Sequence, residues 1–269
     1  MTQTGYVEMD GVYYETAGEG ETLVLCHAGF VDSGMWDAQW EAFAQHYRVI
    51  RYDMRGYGKS DKATAPVSRR DELYRLLKHL GVERAHLLGC SMGGATAIDF
   101  TLEHPEMVMS LIAVSAVPDG FEMRGEPPPD LMEMIGAMQQ GDLKRASELQ
   151  IRIWVDGMFR QPEQVDPNVR QRAAEMNWIP VSSGTMALDM QPVNPLTPPA
   201  IERLSAIEVP MLVIVGALDH PEILRAADVM VSEVKRAKKV IIPDAAHVPN
   251  MEKPAEFNQA VLSFLKSVK

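Results

Sequence analysis

The sequence predicts an α/β fold in which helices cover both faces of a mainly parallel sheet. Short apolar runs alternate with helical patterns along most of the 269 residues, and this alternation is typical of strand–helix–strand units. A hairpin precedes them, because Asp10-Gly11 lies between two strand-like runs and supplies the positive φ angles of a tight turn. The alternation is interrupted over residues 119–199, which indicates an insertion into the sheet domain.

The part of the chain before this interruption predicts six strands and three helices. Trp36, Trp40 and Phe43, at spacings of three and four, indicate the first helix. The two later helices end at breakers, one at Gly81 and one before Pro105. The predicted strands cover residues 6–9, 12–15, 22–26, 48–52, 85–89 and 108–116, and the predicted helices cover residues 35–46, 70–80 and 92–103.

The interruption is interpreted as a helical cap. It carries two proline runs and eight of the 18 methionines. One helical face in it is apolar and predicts a soft, adaptable surface, formed by Ile151, Trp154, Val155, Met158 and Phe159. After it we predict strands at 211–215 and 239–242 and helices at 221–235 and 254–267. The predicted domains are therefore a core of residues 1–118 and 200–269 and a cap of residues 119–199.

Composition excludes several classes of partner. The formal net charge of -11 would repel nucleic acid and anionic membranes alike. The opening residues lack a basic and apolar leader pattern, and no apolar run is long enough to cross a bilayer, so a cytoplasmic location is expected.

Cys26 and Cys90 lie in apolar runs and are predicted to be buried free thiols. Neither metal-ligand spacing nor a dinucleotide fingerprint is present, so we expect no metal and no cofactor.

The most informative motif is a G-x-S-x-G pattern, Gly89-Cys90-Ser91-Met92-Gly93, between a predicted strand and a predicted helix. A serine on such a sharp turn takes a strained backbone conformation, and side chains at the flanking glycines would collide with neighbouring backbone. The serine hydroxyl then projects from the turn, while the helix N-terminus faces any oxyanion formed there. Ser91 is therefore the candidate nucleophile, and the N–H of Met92 is a candidate oxyanion donor.

A serine nucleophile needs a base and an acid that orients it. Of the seven histidines, His247 follows the last strand in a loop, at the edge of the sheet where ligand sites of α/β folds collect. Asp219 also follows a strand, and the chain order Ser91, Asp219, His247 suits this architecture. Asp119 is retained as the alternative acid. The residues expected to be ordinary surface groups are His46, His79, His86 and His104.

Five segments together resemble α/β-hydrolase-fold enzymes along the whole chain apart from the cap, namely residues 27–30, 53–60, 89–93, 216–219 and 246–250. The similarity is to serine esterases and enol-lactone hydrolases, and also to the carbon–carbon hydrolases of meta-cleavage products. It implies an eight-stranded sheet, a positioning role for His27, and a second oxyanion donor from the first segment. Ala28 replaces the usual glycine there, so the donor is expected to be Gly29, with Phe30 as the alternative.

The reaction expected from an activated serine and an oxyanion hole is acyl transfer to water. We predict hydrolysis of small to medium apolar esters, including lactones, with Phe30, Trp154 and Val248 lining the substrate pocket. Cleavage of ring-cleavage diketones is the alternative, for which one of the cap arginines Arg124, Arg152 and Arg160 would hold a carboxylate. A non-catalytic ligand receptor on the same fold is the alternative from another class. The oligomeric state is left open.

Overall fold

The computed structural model describes residues 2–8, 10–191 and 193–268. Its centre is an eight-stranded sheet in the spatial order β1-β2-β4-β3-β5-β6-β7-β8. The strands are β1 (Gln3–Val7), β2 (Val12–Ala17), β3 (Thr22–Cys26), β4 (Arg48–Tyr52), β5 (Ala85–Cys90), β6 (Val108–Val114), β7 (Met211–Gly216) and β8 (Ala237–Ile242). The α/β-hydrolase fold with an eight-stranded, mostly parallel sheet is thereby confirmed.

Pairing within the sheet changes direction at β2. The hairpin of β1 and β2 is antiparallel, with Gly11 at φ +63° in its turn, and β2 is also antiparallel to β4. From β4 to β8 every neighbouring pair is parallel. The predicted end of the first strand at Met9 lies outside the described residues. All the other predicted strands are present, with bounds that differ by up to two residues.

Helices cover both faces of the sheet and bury a separate apolar cluster on each. One face packs against α2 (Arg69–His79), α3 (Met92–Glu103) and α9 (Pro221–Glu233), and the other against α1 (Asp37–Ala44) and α11 (Pro254–Ser267). Fully buried side chains such as Phe100 on the first face and Phe257 on the second each contribute about 1.5–3 kcal/mol to folding. Two short helices, α8 (Ala200–Arg203) and α10 (Pro249–Glu252), complete this part of the chain.

Between β6 and β7 the chain forms the helices of the predicted cap. They are α4 (Leu131–Gln139), α5 (Leu143–Ile151), α6 (Pro167–Ser183) and α7 (Thr185–Asp189). The proposed apolar face is only partly right. Ile151 and Val155 are buried, but the π-helical turn ends at Asp156, and Met158 and Phe159 lie beyond it with exposed side chains. The domain boundaries at 118/119 and 199/200 stay a prediction.

One histidine lies elsewhere than the sequence predicted. His86 is not a surface group: it is buried within β5, and its Nδ1 lies 2.8 Å from the hydroxyl of Ser110 on β6. Both faces of a central strand are covered by helices, so even a polar residue there is buried and takes a hydrogen-bond partner. Cys26 and Cys90 are buried free thiols as predicted. Within the described ranges, the helices are each too short or too polar to cross a membrane.

Candidate active site

Three strands of the sheet deliver the candidate catalytic side chains to one edge. Ser91 follows β5, Asp219 follows β7 and His247 follows β8. The loops after β7 and β8 are tied together, since the N–H of Leu218 donates to the carbonyl of Ala245 at 2.9 Å. This contact brings the loop that contains Asp219 beside the loop that contains His247.

The turn at Ser91 has the strained geometry expected for this motif. Ser91 has φ +52° and ψ -117°, a conformation that costs a non-glycine residue about 1–3 kcal/mol. A side chain at Gly93 would lie 2.5 Å from the carbonyl oxygen of His27 and closer still to that of Cys26. The glycine therefore lets the start of α3 approach the end of β3.

Ser91, His247 and Asp219 form one hydrogen-bonded chain. The Ser91 hydroxyl lies 2.9 Å from Nε2 of His247, and Nδ1 of His247 lies 3.0 and 3.1 Å from the two carboxylate oxygens of Asp219. The N–H of His220 also donates to Asp219 Oδ1 at 2.8 Å, which fixes the carboxylate. With Asp219 accepting from Nδ1–H, Nε2 is left as the acceptor for the serine proton.

Aromatic side chains cover the imidazole of His247. The ring centroid of Trp154, from the cap, is 4.7 Å from that of His247, and the centroid of Phe30 is 6.4 Å from it. Val248 was also predicted to touch substrate, but it is fully buried in the core cluster beside α11 and offers no free surface in this conformation. Phe30 is buried in the same cluster at 4% exposure, so the lining roles of Phe30, Trp154 and Val248 stay a prediction.

The two candidate oxyanion donors lie next to each other. Met92 begins α3, and a Cβ added to Gly29 would lie 3.1 Å from the Met92 sulfur, so the Gly29 loop packs against the residue after Ser91. The carbonyl of Ala28 accepts from His27 Nδ1 at 2.9 Å and from the N–H of Val31 at 3.3 Å. Because the C=O and N–H of a peptide group point in opposite directions, these bonds set the direction of the Gly29 N–H.

His27 has the role of a positioning residue in this geometry. Its Nε2 accepts from the N–H of Met54 at 2.9 Å while its Nδ1 donates to Ala28, so both ring nitrogens are used and the ring is neutral. Burial lowers the pKa of His27 to about 4, although the nearby Asp53 opposes that shift. A histidine that is saturated in this way is not available as the base.

Sequence reasoning missed a residue that fixes the histidine loop. Glu252 accepts from the N–H of Ala246 at 2.7 Å, directly before His247, and pairs with Arg160 at 2.7 Å. Burial raises the pKa of the Glu252 carboxyl, and the Arg160 guanidinium opposes that rise. The pair lies 92 positions apart in sequence, so no local motif marks it.

The three cap arginines considered as carboxylate ligands are each paired with an acid. Besides Arg160 with Glu252, Arg152 lies 2.9 Å from Asp130, and the exposed Arg124 lies 3.0 Å from Glu122. The alternative acid Asp119 is exposed beyond β6, whereas Asp219 is the carboxylate that contacts His247.

A cavity of about 410 Å³ opens beside Met92, between the sheet domain and the last part of the cap. Its walls combine apolar groups such as Phe121 with the charged side chains of Arg70 and Asp99. Burial and, to a lesser extent, the neighbouring Asp119 raise the pKa of the Asp99 carboxyl to about 6. The volume is within the range of small-molecule sites.

Comparison with known proteins agrees with this geometry. The family model for the alpha/beta hydrolase fold matches residues 21–254, which is most of the chain. The protein therefore belongs to the α/β-hydrolase family, and the enzyme class that this membership supports is hydrolase.

The individual proteins that this chain resembles are named for more than one activity. The chain is 29% identical, over 95% of its length and 98% of the relative's, to a pimeloyl-[acyl-carrier protein] methyl ester esterase of Yersinia enterocolitica. It is 28% identical, over 95% of its length and 91% of the relative's, to a 2-hydroxy-6-oxo-6-phenylhexa-2,4-dienoate hydrolase of Comamonas testosteroni. Among solved structures, the enol-lactonase from Burkholderia xenovorans LB400 superposes with a TM-score of 0.80 at 22% identity, with 98% of this chain and 100% of that chain covered.

Proposed function

We propose that the protein is a serine hydrolase of small to medium apolar carboxylic esters, including lactones, and that it acts through an acyl-enzyme. The observation that carries this proposal is the chain of contacts from the Ser91 hydroxyl through His247 to Asp219, at 2.9, 3.0 and 3.1 Å. The nucleophile, base and orienting carboxylate of a serine hydrolase stand in this order.

The proposed reaction has two halves. Ser91 Oγ attacks the ester carbonyl carbon as its proton passes to Nε2 of His247, and the carbonyl electron pair moves onto oxygen. The N–H groups of Met92 and Gly29 stabilise that oxyanion, and Asp219 stabilises the imidazolium. The intermediate then expels the alcohol, which takes the proton from His247. In the second half, water gives a proton to His247 and attacks the acyl carbon. The bond from that carbon to Ser91 Oγ then breaks, and Oγ takes the proton back from His247, which releases the acid and restores the free serine.

The surroundings of His247 favour an uncharged ester over a dianionic diketone. Trp154 and Phe30 present apolar rings to the imidazole. The three cap arginines that were candidates for gripping a substrate carboxylate are already paired with acids. A charged substrate would have to compete with those ion pairs, while an apolar acyl chain would gain from burial against the rings.

Two measurements test the proposal. Intact-mass analysis after treatment with a fluorophosphonate should show one adduct on the wild type and none on Ser91→Ala, because only the activated hydroxyl reacts. Ser91→Ala should also lower kcat for p-nitrophenyl butyrate by about 10⁴-fold or more. A labelled site other than Ser91, or an active alanine variant, would remove the basis of the proposal.

The substrate class is tested by a comparison of two substrates. We expect kcat/KM for p-nitrophenyl butyrate to exceed that for a phenyl-substituted ring-cleavage diketone. A preference for the diketone of tenfold or more would assign the protein to the carbon–carbon hydrolases, the activity named for the Comamonas testosteroni relative. Absence of turnover with both substrates and of fluorophosphonate labelling would favour a non-catalytic binding role.

A further inference from the structure

The loop at residues 28–31 carries both candidates for the second oxyanion donor, and the cap is bonded to this loop. Asn177, in α6, donates from Nδ2 to the carbonyl of Phe30 at 2.9 Å. The Asn177 side chain is fully buried; Ser147 of α5 donates to its Oδ1, and Gln150 of α5 accepts a second hydrogen bond from its Nδ2. Its amide is therefore fixed in one orientation by a satisfied polar network inside the cap.

This bond contributes to the direction of the Gly29 N–H. Holding the carbonyl of Phe30 sets the plane of the peptide group that contains the N–H of Val31. That N–H donates to the carbonyl of Ala28 at 3.3 Å. The Ala28 carbonyl belongs to the same peptide group as the Gly29 N–H and also accepts from His27 Nδ1 at 2.9 Å, so Asn177 and His27 together set where the Gly29 donor points.

A second contact reaches the loop through Tyr57. Its buried hydroxyl lies 2.9 Å from the carbonyl of Gly29 and 2.6 Å from Oδ2 of Asp189, the last residue of α7. Arg69 binds the other oxygen of Asp189 at 2.5 Å. The phenol has one proton for two acceptors, so the cap residue Asp189 competes with the Gly29 carbonyl for the Tyr57 hydroxyl proton. Holding the Gly29 carbonyl sets the direction of the Phe30 N–H.

We infer that the cap sets the orientation of the second oxyanion donor, through Asn177 for the Gly29 N–H and through Asp189 and Tyr57 for the Phe30 N–H. This inference rests on the proposed ester hydrolysis. Asn177 and Tyr57 bond to the loop, and Asp189 acts on it through Tyr57, so the three side chains are positioning residues. The cap then contributes to the catalytic step itself as well as to the shape of the pocket.

Two variants with matched controls test the inference. Asn177→Leu removes the contact with Phe30, and the control Ser110→Ala removes a bond between two fully buried side chains, Ser110 and His86, that does not touch the loop. Tyr57→Phe removes the hydroxyl on Gly29, and Tyr52→Phe removes another fully buried tyrosine hydroxyl, one that lies against Cys26. Where Asn177→Leu does not fold, Asn177→Asp keeps the shape and loses both N–H donors.

The kinetic readout separates positioning from general damage. Loss of one oxyanion donor costs about 10²–10³ in kcat, so a misdirected donor should cost about 10- to 100-fold. We expect that loss in kcat for p-nitrophenyl butyrate from Asn177→Leu or from Tyr57→Phe, with KM changed less than about threefold. The Ki of a boronic acid that mimics the tetrahedral intermediate should rise by the same factor, while the Ki of butyrate stays constant. The variant with the larger loss identifies the donor: Gly29 for Asn177→Leu, Phe30 for Tyr57→Phe.

A second readout does not depend on activity. Hydrogen exchange of the peptide that spans residues 27–35 should be faster in Asn177→Leu and Tyr57→Phe than in the two controls, because the loop has lost a tether. Equal exchange in variants and controls would overturn the inference, and so would kcat losses no larger than those of the controls. A wild-type protein without esterase activity would overturn the proposed function instead, and the exchange result would still decide whether the cap holds the loop.

Discussion

Replacement of Gly93 by alanine is the most direct test of how α3 and β3 place the nucleophile. A Cβ at this position would lie 2.5 Å from the carbonyl oxygen of His27, whereas an ordinary carbon–oxygen contact is about 3.3 Å or longer. The start of α3 would therefore have to move by about 0.8 Å relative to the end of β3. The obstacle is backbone in the middle of the sheet, so it cannot relax by a change of rotamer.

This displacement should affect both stability and catalysis. Overpacking of a core typically costs about 1–3 kcal/mol, and a rigid backbone obstacle favours the upper end of that range. The movement also separates Ser91 and Met92 from the Gly29 loop, which directly follows His27. A misplacement of about 1 Å can cost about 10²-fold in rate. We therefore expect Gly93→Ala to lose about 2–3 kcal/mol of unfolding free energy and about 10²-fold in kcat/KM.

Gly136→Ala is the matched control. Gly136 lies inside α4 of the cap, and a Cβ there would have no neighbour within 4 Å among the described residues. The same substitution should raise the unfolding free energy by about 0.5–1 kcal/mol, because alanine loses less backbone entropy in a helix. Urea unfolding and p-nitrophenyl butyrate hydrolysis measure both effects. Wild-type stability and activity in Gly93→Ala would refute the account of why this position is glycine.

Two further predictions concern the acid and the buried histidine. Asp219→Asn should lower kcat by about 10⁴-fold by favouring the wrong tautomer of the base, measured in the same ester assay, and the assignment fails if Asp119→Asn proves more damaging. For His27, the pKa of about 4 in the folded chain is below the value of about 6.5 for a free histidine, so protonation favours unfolding. Its contribution to stability should be complete above pH 6.5 and decline by roughly 3 kcal/mol towards pH 4. Urea unfolding of His27→Asn at several pH values should show a correspondingly weaker decline, and an equal decline in both proteins would contradict this.

The sequence predicted those parts of the site that local chemistry marks. A serine between two glycines at a strand–helix junction is typical of an exposed nucleophile on a sharp turn, and His247 and Asp219 were recognised because each follows a buried strand. The contacts that position the donors have no such mark. Asn177 meets Phe30 across 147 positions of sequence, and its helix face resembles any other half-buried face. The prediction for His86 was also wrong, because a polar residue in a strand does not show that helices cover both faces of that strand.

The two native cysteine thiols can serve as probes of how often the sheet opens. Cys26 and Cys90 end the adjacent central strands β3 and β5, and both are completely buried. Burial raises the pKa of the Cys26 thiol to about 12 and that of Cys90 well above its ordinary value, so neither presents a thiolate to an alkylating reagent while the sheet is closed. Their alkylation rate in the native protein therefore reports how often the centre of the sheet opens. It measures global unfolding without a denaturant and without an engineered probe.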